Sequence, residues 1–279
     1  MVAVAERPAP AARLAARPAG FVDAVHSEWT KFRSVRSTYW TLFVAALLGV
    51  GLAALICGLR AARYHTDPSV RFDWNPVQYS ARPLELTQLA FIVLGVLVVT
   101  GEYSSGMIRT SLTAVPRRGR LMLSKLVVFS AVTVAMAEAI AFAAFALGQA
   151  LIHGQAPSAS LHQHLVLRVV IGTGLYVALS GVLGSAVALI FRQAAAAIAV
   201  IVGLIFILPL VANALPNSWN QPIEKYWPVG AYPANAGQQI MVIHRDSHTL
   251  SAWLGLGEMA LFTAIVLALG YFLLQRRDA

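Results

Sequence analysis

Six long apolar runs alternate with polar segments along the chain, at about 41–59, 86–101, 124–151, 169–190, 194–213 and 252–274. They approach the roughly 20 residues that a helix rising 1.5 Å per residue needs to cross a hydrocarbon layer about 30 Å thick. Because the runs are continuous and do not alternate, they predict helical spans and not barrel strands. Only Arg192 and Gln193 separate the fourth run from the fifth, which makes those two spans antiparallel neighbours. Ahead of the first run the period changes. Phe21, Val25, Trp29 and Phe32 recur at i, i+4, i+8 and i+11, while Asp23, His26, Lys31 and Arg33 point elsewhere. That spacing predicts an amphipathic helix over 21–37, lying in a membrane interface. Residues 1–20, rich in Ala, Pro and Arg, read as a disordered tail.

Composition agrees with the pattern. Hydrophobic residues make up 58% of 279, charged residues only 12%, and mean hydropathy is +0.68, too apolar for one soluble core. The fold expected is therefore an all-α integral membrane protein of six transmembrane helices. The formal charge of +9 could suggest nucleic acid, but the basic residues flank the spans and form no binding domain, so no nucleic-acid partner is expected. Their distribution sets orientation. With the N-terminus inside, fourteen Lys and Arg fall on the cytoplasmic side and seven outside, which predicts cytoplasmic N- and C-termini in a plasma membrane protein.

Several chemistries are missing. The three lysines, Lys31, Lys125 and Lys225, are followed by Phe, Leu and Tyr, so no Walker A phosphate loop exists and the chain is not itself an ATPase. Gly172-Thr173-Gly174 imitates a dinucleotide loop but lies inside a span, and His244-Arg245-Asp246 imitates a kinase triplet without its Asn. Cys57, the one cysteine, lies in an apolar run and excludes disulfides and thiolate clusters. The histidine pairs His162/His164 and His244/His248, with His153 nearby, lack a completing Cys or carboxylate cluster, and no metal site is expected.

Glu138 lies near the middle of the third span, where a charge costs about 2.5–3.5 kcal/mol and needs a proton, a partner or water. Two readings stand. It is a translocation-path residue, or it is a protonated carboxyl hydrogen-bonded between helices, with Gln88 the partner at similar depth. Gly172, Gly174, Gly181 and Gly184 are spaced for close packing of the fourth span on its neighbours.

The loop from Glu102 to Lys125 carries more than topological charge. Arg117, Arg118 and Arg120 are explained by positive-inside retention, but Glu102-Tyr103-Ser104-Ser105-Gly106 at the membrane face is not. Met107, Ile108, Leu112 and Val115 then predict a short helix with one apolar face, closed by Pro116, of the kind that docks in a partner's groove.

Glu28-Trp29-Thr30-Lys31 before the first span and Gly101 to Gly106 through Pro116-Arg117-Arg118 after the second resemble permeases of the ABC type-2 exporter family. Pro216, Trp219, Ile223, Tyr226, Trp227 and Pro228, ahead of the last span, are similar to that family's re-entrant helical hairpin. The resemblance implies a permease that dimerises, as a homo- or heterodimer, above cytoplasmic ATPase subunits. ATP and Mg would bind those partners, and this chain would bind no cofactor. Glu28, Trp29, Lys31 and Phe32 would belong to an interfacial connecting helix. Glu102, Tyr103, Ser104, Gly106, Met107, Arg109, Leu112, Pro116 and Arg117 would form the coupling loop that receives the ATPase stroke.

Two other classes compete. A self-contained secondary transporter should show paired broken helices near midplane, and Pro209 in the fifth span has no visible counterpart. A membrane scaffold or enzyme would need convergent catalytic groups, and the spans offer only Glu138, Gln88 and scattered hydroxyls. The sequence therefore points to the permease of an ATP-driven exporter.

Overall fold

A computed structural model describes residues 20–107, 118–229, 236–242 and 250–276. Among these residues all regular structure is helical, and six helices are long and apolar enough to cross a membrane. They are spans one to six: Arg36–Arg63, Pro76–Ser104, Gly119–Ile152, Val166–Phe191, Ala194–Ala212 and Ala252–Arg276. The end of the bundle holding residues 34–36, 104 and 118 is called basal below, and the other end distal.

Helix α1, Phe21–Ser34, precedes span one. Its first turn is closed by the Asp23 carboxylate, which accepts from the Gly20 N–H at 2.8 Å. Lys31 and Arg33 sit in its last turn, where cations complement the helix dipole. It stops at Ser34 and not at residue 37, because Val35 adopts an extended conformation that redirects the chain into span one. The apolar stripe docks only in part, through Phe32, which packs against the core. Phe21 and Trp29 stay exposed, while Ala24 and the acid Glu28 are buried against span three.

Span four is the core of the bundle: 72% of its most apolar window is buried, against 17% in spans five and six, so the other spans wrap around it. Spans two and four meet almost backbone to backbone. A Cβ on Gly95 would overlap the carbonyl of Gly181, and one on Gly184 would come within 2.5 Å of the Ile92 carbonyl oxygen. Phe91, Ile92 and Leu183 fill the space around these glycines. Arg192, in the left-handed region at φ 56°, turns the chain from span four into span five, which lies against spans two and four.

Prolines mark two irregular spans. Span two opens at Pro76, with the Asn75 side chain accepting from Gln78 N–H at 3.1 Å, and is interrupted at Arg82–Pro83 before Leu84–Ser104. Pro209 therefore does have a counterpart, though at another depth. At 1.5 Å per residue, Pro83 lies about 32 Å from its basal end and Pro209 about 22 Å. In span five the turns over Gly203–Ile207 are π-helical, and Leu208 N–H donates to the Gly203 carbonyl. The next carbonyl in that register, Leu204, would need the N–H that Pro209 lacks. The indole N–H of Trp227 donates to it instead, at 3.2 Å.

That bond shows where the chain goes after span five. Leu204 is eight residues back from Ala212, about 12 Å along the axis, so the segment through helix Asn217–Tyr226 folds back beside its own span. The 3₁₀ turn Ala236–Met241 then wedges between spans four and six, with Ile240 seated on Gly172 where a Cβ would overlap it. At the distal end one amide ties three segments together. Gln149 of span three donates to the Pro76 carbonyl and the Ser80 hydroxyl, both at 3.0 Å, and accepts from Ala159 N–H at 2.7 Å.

Candidate functional site

At the basal end four ions from three elements meet. Glu28 and Lys31 are three residues apart on α1 and share one face. Glu102 ends span two, and Lys125 lies in the second turn of the helix Arg118–Ile152. Lys31 Nζ lies 2.6 Å from Glu28 Oε1 and 2.9 Å from Glu102 Oε1; Lys125 Nζ lies 2.7 Å from Glu28 Oε2 and 2.9 Å from Glu102 Oε1. Each carboxylate touches both ammoniums, so the cluster is a closed ring of zero net charge.

Burial makes this arrangement strict. Three of the four side chains are 4–9% exposed, and only Lys31, at 29%, reaches outward. Taking an ion out of water costs several kcal/mol, and only close opposite charges and hydrogen bonds repay it. Burial alone would lower the Lys31 pKa, but Glu28 and Glu102 outweigh it and hold the ammonium above the usual lysine range. Lys31 is therefore charged throughout the physiological range.

Next to Glu102 the chain is stopped deliberately. Ser104 and Ser105 hydroxyls both donate back to the Gly101 carbonyl, at 3.2 and 2.7 Å, and Gly106 takes φ +69°, which favours glycine and ends the helix. Tyr103 receives the Arg192 guanidinium over its ring at 5.3 Å, tying the turn between spans four and five to the same corner. Met107 and Phe32 line a cavity of about 410 Å³ beside the ions. Trp29 remains outside the cluster, 44% exposed.

The structure thus brings Glu28 and Lys31 of the expected interfacial helix together with Glu102 of the expected coupling loop, and places Phe32 and Met107 in the cavity beside them. Arg109, Leu112, Pro116 and Arg117 lie outside the described residues. Lys125 was missed, since it reads as one more topological charge. A signal existed: the chain has three lysines among 21 basic residues, and two of them are here. A compact ammonium with three donors can face two carboxylates at once, which the planar fork of arginine does less readily.

The pairing expected at mid-bundle is not made. Both carboxyl oxygens of Glu138 are buried without a hydrogen-bond partner among the described residues. The carboxyl rests on Gly174 of span four, where a Cβ would come within 2.5 Å of its carbon. Gln88 instead accepts from the Ser180 hydroxyl at 3.4 Å. Ser180 is six residues from Gly174, about 9 Å along the helix, which puts the amide beyond reach of the acid. Among the described residues no three His, Cys, Asp or Glu converge as metal ligands, and His244 and His248 lie outside them.

No curated protein matches the chain. The family described as ABC-2 family transporter protein matches residues 24–210, a stretch that runs from α1 through most of span five and includes all four ions. With six membrane-crossing helices and a match over well more than half its length, the chain is a multi-pass membrane protein of the ABC-2 transporter family.

Proposed function

We propose that the chain is the permease of an ATP-driven exporter in the plasma membrane, with both termini cytoplasmic, working as a homo- or heterodimer on a separate cytoplasmic ATPase that binds ATP and Mg. The observation that carries this reading is the four-ion ring. Glu102 and Lys125 flank the loop at its two ends, and Glu28 and Lys31 belong to α1. A push on the loop from a cytoplasmic partner therefore moves spans two and three and α1 as one piece. The ring is a rigid joint, and the loop is its handle. The segment that folds back beside span five is the re-entrant hairpin that closes the outer face, and Glu138 is the candidate path residue.

Copurification of the full chain with its candidate ATPase, followed by ATP-driven transport in proteoliposomes, tests the coupling. Substitution of the loop residues 106–109 is expected to abolish coupled transport or release the ATPase. A retained complex with full ATP-driven transport would overturn the assignment of this loop.

A further inference from the structure

The cavity beside the ion ring lies between α1, the start of span one and the basal ends of spans two and three. Its polar and apolar parts are stacked along the helix axes. Glu102, Lys125, Ser37 and Thr38 form the rim, and Leu94, Leu97, Val98 and Phe129 form the walls. From Glu102 back to Leu94 is eight residues, about 12 Å deeper, and from Lys125 to Phe129 is four, about 6 Å deeper. An occupant must have a polar end at the rim and a hydrocarbon end below it. At about 410 Å³ the space is in the range of small-ligand pockets.

Two features identify that occupant. Leu97, well inside span two, lines the cavity and is 38% exposed, so in a bilayer the side of the cavity opens onto hydrocarbon, while Val35 and Met107 line it at the basal surface. Charge sets the head group. The ring itself is neutral and Lys31 is held by both carboxylates, so the positive charge at this level comes from Arg33 and Arg36, exposed on either side of the lining residue Val35. The rim thus offers positive charge at the level where lipid phosphates lie, and anionic lipids are attracted to such basic segments.

We propose that this cavity binds one acyl chain of an anionic membrane phospholipid, with its phosphate beside Arg33 and Arg36 and its hydrocarbon between Leu97, Val98 and Phe129. The lipid wedges between α1 and span two and braces the ion ring from below. Because the site is read through bound lipid, its failure would leave the transport reading standing, and the reverse also holds.

The test is native mass spectrometry of the purified full chain equilibrated with phosphatidylglycerol or phosphatidylcholine. Wild type is expected to retain one phosphatidylglycerol per chain, preferred over phosphatidylcholine by about fivefold or more, the factor expected for one basic contact at a membrane surface. Filling the cavity with Leu97→Trp, or independently with Val98→Phe, should remove that retained lipid while each variant stays monodisperse. Equal retention of the two lipids, or undiminished phosphatidylglycerol in both filled variants, would overturn the proposal. The second result would also mean that some other part of the chain occupies the space.

Discussion

The basal ring and the mid-bundle site both bury glutamate, and they treat it in opposite ways. Glu102 has two ammonium partners within 2.9 Å, whereas Glu138 has the bare face of Gly174 and no partner among the described residues. The first carboxylate is locked, because leaving would strand two cations. The second is held by shape alone. On the proposed reading the two differ in kind: a joint that cannot slip where a partner would push, and a group with unspent polar capacity where a substrate would pass.

The largest expected effect is therefore at the ring. Lys125→Met leaves two buried carboxylates facing one ammonium, and removing one member of a buried ion cluster costs about 3–5 kcal/mol. The matching change Lys31→Met should cost clearly less, since Lys31 is 29% exposed and water can reach the acids through its vacated place. Thermal unfolding in detergent measures both. If the two variants melted together, the ring would not be the buried unit described here. A Glu102→Lys, Lys125→Glu double variant should not recover the loss although net charge is restored, because it sets like charges against Lys31 and against Glu28 in the buried ring.

A smaller effect separates the two glycine contacts of span four. Gly184→Ala drives a methyl into the backbone of Ile92, which cannot move without shifting span two, and overpacking of this sort costs about 1–3 kcal/mol. Gly174→Ala meets only the end of the Glu138 side chain, which can swing away. The first variant should lower the melting temperature, and the second should change it little. Equal losses would mean that Glu138 is as fixed as a backbone, and the contrast between locked and unlocked acids would fail.

How much of this was legible beforehand differs between the two regions for physical reasons. The spans were readable because bilayer thickness imposes a length on apolar runs, and glycines 172, 174, 181 and 184 were readable because close helix packing needs small residues. Each of the four does lie at a contact, though 172 meets Ile240 of the fold-back segment. The ring was half readable. Its α1 and span-two members carry a family motif, but pairing across 97 residues, from Glu28 to Lys125, leaves no periodic trace. The direction of the α1 stripe was unreadable, because an apolar face can meet either lipid or protein. Here Glu28 wins the protein side, since only there can it find two ammoniums. The Glu138–Gln88 pairing failed for a related reason: counting residues from the span ends estimates depth, but not the face that each side chain takes.

The smallest stability effect is that of Glu138→Gln, and it is sharpest when set beside the same isosteric change at Glu102. Glu102→Gln removes a charge that two lysines require and should destabilise by about 3–5 kcal/mol. Glu138→Gln keeps the shape that fits Gly174 and removes a group whose charged form costs about 2.5–3.5 kcal/mol in a bilayer, so folding should be unharmed. Transport is where Glu138 should show itself. If the acid lines the path, Glu138→Gln transport loses its dependence on pH while the protein remains folded and its ATPase remains attached. An unchanged pH profile in a variant that folds and transports like wild type would remove Glu138 from the path and leave it as a packing residue whose unpaired oxygens the fold tolerates.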